Sequence, residues 1–191
     1  EDLYKKAIAI MDKNLKGNNR NYSISINNLA LLFQSQNKNK EAEELFFKNI
    51  EQSKEIFGEY SQDYATLMDN LASFYQDILN YDKAEELYIK ALMLKKSILG
   101  ESHPDYQITL QNLSSLYISL RMYEKAEINA IKSKELFEKT FSNDHPEYAS
   151  VLNNLANINL WKRNYIEAEK LYSQAEKIIL KTLGKTHPYY I

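Results

Sequence analysis

Three histidine–proline pairs are the residues of this chain whose type and spacing first suggest chemistry. They recur every 42 residues, as His103-Pro104, His145-Pro146 and His187-Pro188. Imidazole nitrogens bind zinc and act as general bases, so a regular array of them could form a metal or catalytic centre. Equivalent residues of successive helical hairpins lie about 8–10 Å apart, whereas zinc requires each nitrogen at about 2.0–2.1 Å. The three histidines therefore cannot share one ion, and we expect them to shape the turns between repeated units.

Other catalytic signatures are missing from the sequence. There is no Ser/His/Asp set, no Gly-rich phosphate loop and no recurring carboxylate pair in a supporting context. The chain has no cysteine, which excludes disulfides and thiolate zinc sites. We therefore expect no enzymatic activity, no cofactor and no metal site.

Composition and charge indicate a globular chain with a protein or peptide as its partner. Of 191 residues, 44% are hydrophobic, and the formal net charge is -2. This balance predicts a buried core and gives no electrostatic reason to bind nucleic acid or an anionic membrane. No apolar run approaches the length of a membrane span, and residues 1–17 are too charged for a signal peptide. The lack of cysteine fits a reducing compartment, so we expect a cytoplasmic location.

An internal repeat of 42 residues organises the chain. The spacing is the same in several independent columns, which keep register without an insertion. These columns are Asn28, Asn70, Asn112 and Asn154; the leucine after each; Ala42, Ala84, Ala126 and Ala168; and Tyr22, Tyr64, Tyr106, Tyr148 and Tyr190. Such self-similarity is the signature of a solenoid.

Each repeat reads as two helices joined by a short turn. Leu67, Met68, Leu71, Ala72 and Tyr75 recur at three- and four-residue intervals, which predicts one apolar helical stripe. Short turns require antiparallel neighbours. We therefore predict an all-α fold, a right-handed superhelical solenoid of antiparallel helix hairpins.

The phase of the repeat predicts the boundaries of one array over residues 1–191. Residues 1–15 match the trailing helix of a preceding hairpin, and residues 188–191 match the start of a following repeat. The array has no polar capping helix at either end, which predicts an internal fragment of a longer protein. Four hairpins are predicted between these ends, at residues 22–57, 64–99, 106–141 and 148–183.

The repeat resembles the tetratricopeptide repeat over the whole chain. The small residue of the first helix is Ala30, Ala72, Ser114 or Ala156, and the aromatic residue that opens the second helix is Tyr81, Tyr123 or Tyr165, with Asn39 in the first copy. The glycine of the family's turn is missing, because Asn37, Leu79, Arg121 and Arg163 stand there.

The length of the repeat is similar to that of one subtype of this family. The usual repeat has 34 residues, whereas the 42-residue form with N-N-L-A (Asn27–Ala30) and L-G-x-x-H-P (Leu99–Pro104) resembles kinesin light chain repeats. The resemblance implies a non-catalytic scaffold for protein binding.

The resemblance also implies which residues contact a partner, because first helices line the concave groove in this family. These residues are mostly amides and hydroxyls, with two aspartates and no cation. The predicted groove residues are Asn27, Leu31, Gln34, Asp69, Ser73, Gln76, Asp77, Gln111, Asn112, Ser115, Asn153, Asn154, Asn157 and Trp161. Some relatives grip a C-terminal carboxylate with Lys, Arg and Asn, and the missing cations disfavour that mode. We expect a neutral to mildly basic protein or peptide segment.

Several of these residues have an alternative structural interpretation. The asparagine column either hydrogen-bonds a neighbouring repeat or pairs with the backbone of a bound peptide. Trp161 is either partly buried at a helix end or a binding anchor. The tyrosine column is expected to fill gaps between layers, with each hydroxyl at the wet edge.

A second function competes with groove binding. In this alternative the solenoid is a structural or regulatory arm that controls or scaffolds a fused effector domain of the same chain, such as a peptidase or an NTPase. The two hypotheses differ in which surface carries the main contact.

Removal of divalent metal should leave the fold unchanged, because the histidines are dispersed and thiolates are missing. We expect the melting temperature measured by circular dichroism to be the same with and without excess EDTA. A clear drop would reveal a metal site that the sequence does not predict.

Overall fold

The computed structural model describes residues 6, 9, 10, 20–140 and 145–182. Apart from residues 6, 9 and 10, which are helical, the predicted trailing helix at 1–15 lies outside this part, as do residues 188–191. The described chain contains eight longer helices and no strand. They are α1 (Arg20–Ser35), α2 (Asn39–Phe57), α3 (Gln62–Asp77), α4 (Tyr81–Leu99), α5 (Pro104–Ser119), α6 (Tyr123–Thr140), α7 (Pro146–Trp161) and α8 (Tyr165–Thr182).

The odd-numbered helices are the first helices of the hairpins, and they begin two residues earlier than the sequence predicted. Pro104 and Pro146 occupy the first turn, where a missing N–H costs nothing. The residue before each proline is the N-cap: His103 Nδ1 accepts a hydrogen bond from the Asp105 amide, and His145 Nδ1 accepts one from the Glu147 amide. His103 and His145 thus shape helix starts, as predicted, while His187 lies outside the described residues.

The turn inside each hairpin forces a non-glycine residue into a left-handed conformation. Asn37, Leu79, Arg121 and Arg163 have φ of 59°, 63°, 58° and 61°. In each turn the next amide reaches back to the last helical turn, as where Asn80 N donates to Tyr75 O at 2.8 Å and Leu79 N donates to Gln76 O at 3.0 Å. This is the Schellman arrangement, in which the left-handed residue is usually glycine. The positions are therefore glycine-like in conformation although the sequence lacks glycine there.

The chain forms two compact units, Glu1–Leu94 and Lys95–Ile191, with the boundary inside α4. In the first unit, α2 contacts both α1 and α3. Its core includes Ile26, Phe46, Leu71 and Phe74. The rings of Phe46 in α2 and Phe74 in α3 lie 5.3 Å apart, so the contact between the two hairpins is aromatic.

The second unit repeats this packing, since α6 contacts α5 and α7, and α7 contacts α8. Its core includes Leu110, Leu116, Leu152 and Ile158. Ser114, which replaces the alanine of the other repeats, is fully buried, and its hydroxyl donates to the carbonyl of Ala126 at 2.9 Å. The predicted fold class of antiparallel helix hairpins is confirmed.

The tyrosine column packs into the core, as expected. Tyr22, Tyr64, Tyr106 and Tyr148 are at most 6% exposed, and Tyr190 lies outside the described residues. The Tyr106 hydroxyl accepts a hydrogen bond from Lys132 Nζ at 2.9 Å, and the Tyr148 hydroxyl donates to Glu138 at 2.8 Å. These two hydroxyls reach polar partners, whereas the buried Tyr22 hydroxyl has none in the structure.

Leu79→Gly should stabilise the protein by about 1 kcal/mol, because a left-handed non-glycine residue costs roughly 1–2 kcal/mol and a new glycine returns part of this by loosening the unfolded chain. Leu79 is 69% exposed, so little packing is lost. The matched change Asn37→Gly should have almost no effect, since asparagine tolerates this conformation. Urea unfolding measures both, and a destabilised Leu79→Gly variant would show that the turn is not strained.

His103→Ala should destabilise the protein by about 1 kcal/mol, as loss of an N-cap acceptor does. His103→Asn should retain most of the stability because its side-chain oxygen can accept the same amide. Ser102→Ala, at the exposed preceding position, serves as the control in the same urea unfolding series. Equal stability of His103→Ala and the parent would exclude the capping role.

Candidate protein-binding groove

A cleft of about 240 Å³ separates the N-terminal halves of α1 and α3, the first helices of the first unit. The predicted groove residue Asn27 lines it, together with Ile24, Thr66 and Asn70. Ile24 is 52% exposed, so the cleft offers an apolar contact beside its amides and hydroxyls. Such a surface can bind an uncharged segment through one apolar anchor and several hydrogen bonds.

The asparagine column hydrogen-bonds the preceding repeat wherever the described units show its partner. In the first unit, Asn70 Nδ2 donates to Asn27 Oδ1 at 3.0 Å. In the second unit, Asn154 Nδ2 donates to the carbonyl of Gln111 at 3.2 Å. Both bonds join consecutive first helices, which gives Asn70 and Asn154 a structural role.

A second cleft of the first unit, of about 390 Å³, lies at the C-terminal ends of α1 and α3. It contains the predicted residues Leu31, Gln34 and Asp77. Gln34 Nε2 donates to Asp77 Oδ2 at 2.7 Å, and Leu31 is 46% exposed. These three predicted residues are brought together, and the exposed carboxylate of Asp77 gives the cleft an acidic rim.

Two other predicted residues of α3 are engaged with the second helix of their own hairpin. Gln76 Oε1 accepts a hydrogen bond from the hydroxyl of Tyr88 in α4 at 3.2 Å. Asp69 is only 7% exposed. Burial and the nearby Asp69 charge raise the pKa of the Tyr88 hydroxyl. A change at Asp69 would therefore affect folding as well as any contact with a partner, while Ser73 of the same helix is exposed.

The predicted residues of the second unit lie on α5 and α7. Gln111, Asn112, Ser115 and Asn153 are partly exposed. Asn157 is exposed, and its Oδ1 accepts a hydrogen bond from the Tyr172 hydroxyl at 2.5 Å.

Trp161 at the end of α7 combines both of its proposed roles. Its ring stacks on Tyr123, with centroids 4.3 Å apart and planes inclined by 23°. Half of the side chain remains exposed, at 50%. One face of the indole is therefore packed while the rest is accessible to a partner.

The sequence analysis missed Arg20, Ser23, Gln62 and Asp63, which complete the lining of the cleft between α1 and α3. Arg20 donates to Asp63 Oδ2 at 2.8 Å. The expectation of a cation-free groove is therefore wrong here, because α1 and α3 begin at Arg20 and Gln62, before the predicted starts at 22 and 64. Positions 20 and 62 are equivalent to Pro104 and Pro146, and this equivalence could have indicated the earlier start.

Two searches of the described residues for other kinds of site gave nothing further. Among residues 20–140 and 145–182, no group of three or more His, Cys, Asp and Glu could hold a metal ion. None of the helices in the same part of the chain is long and apolar enough to cross a membrane.

Sequence comparison matches the chain to two family models, both described as tetratricopeptide repeat. One matches residues 63–139 and 109–178, which together cover more than half of the chain. The other matches residues 24–61. None of the curated proteins matches the chain significantly.

Solved structures with the same fold include kinesin light chain-like proteins. The crystal structure of BtubC (BKLC) from P. vanneervenii has a TM-score of 0.77 and 21% identity, covering 98% of this chain and 74% of that one. A kinesin light chain-like protein of Podosopora anserina with nearly identical TPR-like repeats has a TM-score of 0.70 and 21% identity, covering 95% and 86%. A variant of that protein has a TM-score of 0.72 and 20% identity, covering 95% and 85%. At these identities the likeness shows the fold alone.

Proposed function

Because the chain belongs to the tetratricopeptide repeat family, whose members generally mediate protein–protein interaction, we propose that it binds an extended peptide segment along its first helices. Repeats of this family are typically non-catalytic, and binding alone is the activity that we assign. The observation that carries the proposal is the cleft between α1 and α3, where polar groups surround the half-exposed Ile24.

The chemistry of the first unit supports an extended backbone as the ligand. An extended segment carries a donor and an acceptor at every residue, and Ser23, Asn27 and Thr66 present hydroxyl and amide groups to the same cleft. Ile24 and Leu31 are 52% and 46% exposed on the same helix, two turns apart, and both can contact apolar side chains of the segment.

The charges of the first unit support a neutral to mildly basic segment. Arg20 is paired with Asp63, so this pair adds no net charge to the cleft. Asp77 adds one carboxylate at the rim, bonded to a neutral amide. A basic side chain near Asp77 would therefore be attracted, by an amount that decreases as salt screens the two charges.

Peptides selected from a random display library on the 191-residue chain provide a probe for this proposal. Ile24→Arg should weaken binding of a selected peptide by ten-fold or more, because a solvated guanidinium would occupy a cleft of only about 240 Å³. In the second unit, Asn112→Ala should weaken it by about two- to ten-fold, the effect of one lost hydrogen bond of 0.5–1.5 kcal/mol. Calorimetry or anisotropy measures both.

Met93→Arg is the matched control, because Met93 is 68% exposed and lies on the second helix α4. It introduces the same side chain away from the first helices and should leave affinity unchanged. If Ile24→Arg folds like the parent and binds equally well, the groove proposal is wrong. Loss of binding in Met93→Arg alone would instead favour the arm that contacts its partner through second helices.

A further inference from the structure

The second unit ends in an open face formed by α7 and α8. This end face contains a cleft of about 660 Å³ whose lining includes Leu160, Tyr165, Glu169 and Ile179. Tyr165 is 64% exposed and Leu160 is 42% exposed, while the floor residue Ile179 is only 4% exposed. The cleft is therefore apolar at its floor, aromatic at one end and acidic at its wall.

The residues one repeat earlier show what such a face binds. Tyr123 is equivalent to Tyr165, and its ring is stacked against Trp161 of α7 at 4.3 Å. Glu127 is equivalent to Glu169, and its carboxylate binds Lys162 Nζ at 2.5 Å. The aromatic and acidic groups of α6 are thus paired with two consecutive residues at the C-terminal end of the helix that covers them.

Two further contacts along α7 follow the same correspondence. Asn154 Nδ2 donates to the carbonyl of Gln111, whose equivalent is the carbonyl of Asn153. The Tyr148 ring lies 6.2 Å from the ring of Phe137, whose equivalent is Ile179. Together the four contacts extend along most of the length of α7, from its first turn to its end.

The first unit uses the equivalent glutamate in the same way. Glu43, which corresponds to Glu127 and Glu169, accepts a hydrogen bond from the hydroxyl of Tyr75 in the following first helix. The carboxylate at this position therefore faces the following first helix in both units, although the residue that it contacts differs.

We propose that the α7/α8 end face is a docking site for an amphipathic helix with an aromatic residue followed by lysine at its C-terminal end. The helix lies along the face as α7 lies along α6. Its aromatic ring stacks on Tyr165, its lysine pairs with Glu169, and an asparagine seven residues before the aromatic residue donates to the carbonyl of Asn153. This site takes a helix rather than an extended segment, and it does not depend on the first-helix groove.

A peptide copied from α7 is the direct probe, because α7 already makes these contacts with α6. A fluorescent peptide of residues 145–163, blocked at both ends, should bind the 191-residue chain saturably in anisotropy titrations. Tyr165→Ala and Glu169→Lys in the chain should each weaken binding five-fold or more. Glu169→Lys should be rescued by Lys162→Glu in the peptide. Ile166→Ala is the control, since Ile166 is 86% exposed and does not line the cleft.

Cross-linking tests the geometry even if ordering the short helix makes binding weak. The chain has no cysteine, so Glu169→Cys in the chain and Lys162→Cys in the peptide create a single possible disulfide pair. We expect it to form at least five-fold faster than with Ile166→Cys. Equal rates at 169 and 166, or titrations insensitive to Tyr165→Ala and Glu169→Lys, would overturn the proposal.

Discussion

The contact between each second helix and the following first helix is the interaction on which the rest of the structure depends. A single hairpin cannot bury its apolar surface alone, so hairpins must stack to form a continuous core. Phe46 against Phe74 in the first unit and Phe137 against Tyr148 in the second are the aromatic parts of this contact. Alanines buried completely at positions such as 42 and 126 leave room for this close approach.

A polar edge accompanies that apolar contact and varies from repeat to repeat. Glu43 bonds the hydroxyl of Tyr75, and Lys83 both donates to that hydroxyl and lies over its ring. In the second unit Asn159 stands where Tyr75 stands in the first, and Glu127 binds Lys162 instead. The same glutamate position therefore joins hairpins through different partners. Its equivalent in the last described hairpin, Glu169, carries this chemistry to an open face.

The stacking also determines which polar groups remain for a ligand. Consecutive first helices are joined by Asn70 to Asn27 and by Asn154 to Gln111, so part of the amide surface is used to hold the repeats together. Exposed residues beside these bonds, such as Ile24 and Leu31, then acquire fixed positions on a rigid scaffold. A groove built this way is pre-organised, which lowers the entropic cost of binding an extended segment.

The sequence by itself determined the helices, their pairing into hairpins and the identity of the core, because apolar periodicity and a 42-residue repeat are local patterns. The helix starts at Pro104 and Pro146 could be read from proline's fixed geometry once the N-terminal limit was placed two residues earlier. Only the tertiary structure decided which amides face a neighbour. It paired Arg20 with Asp63, buried Asp69 and left half of Trp161 exposed. These outcomes depend on distances between residues far apart in sequence, and periodicity places a side chain on a helix face without fixing what lies opposite it.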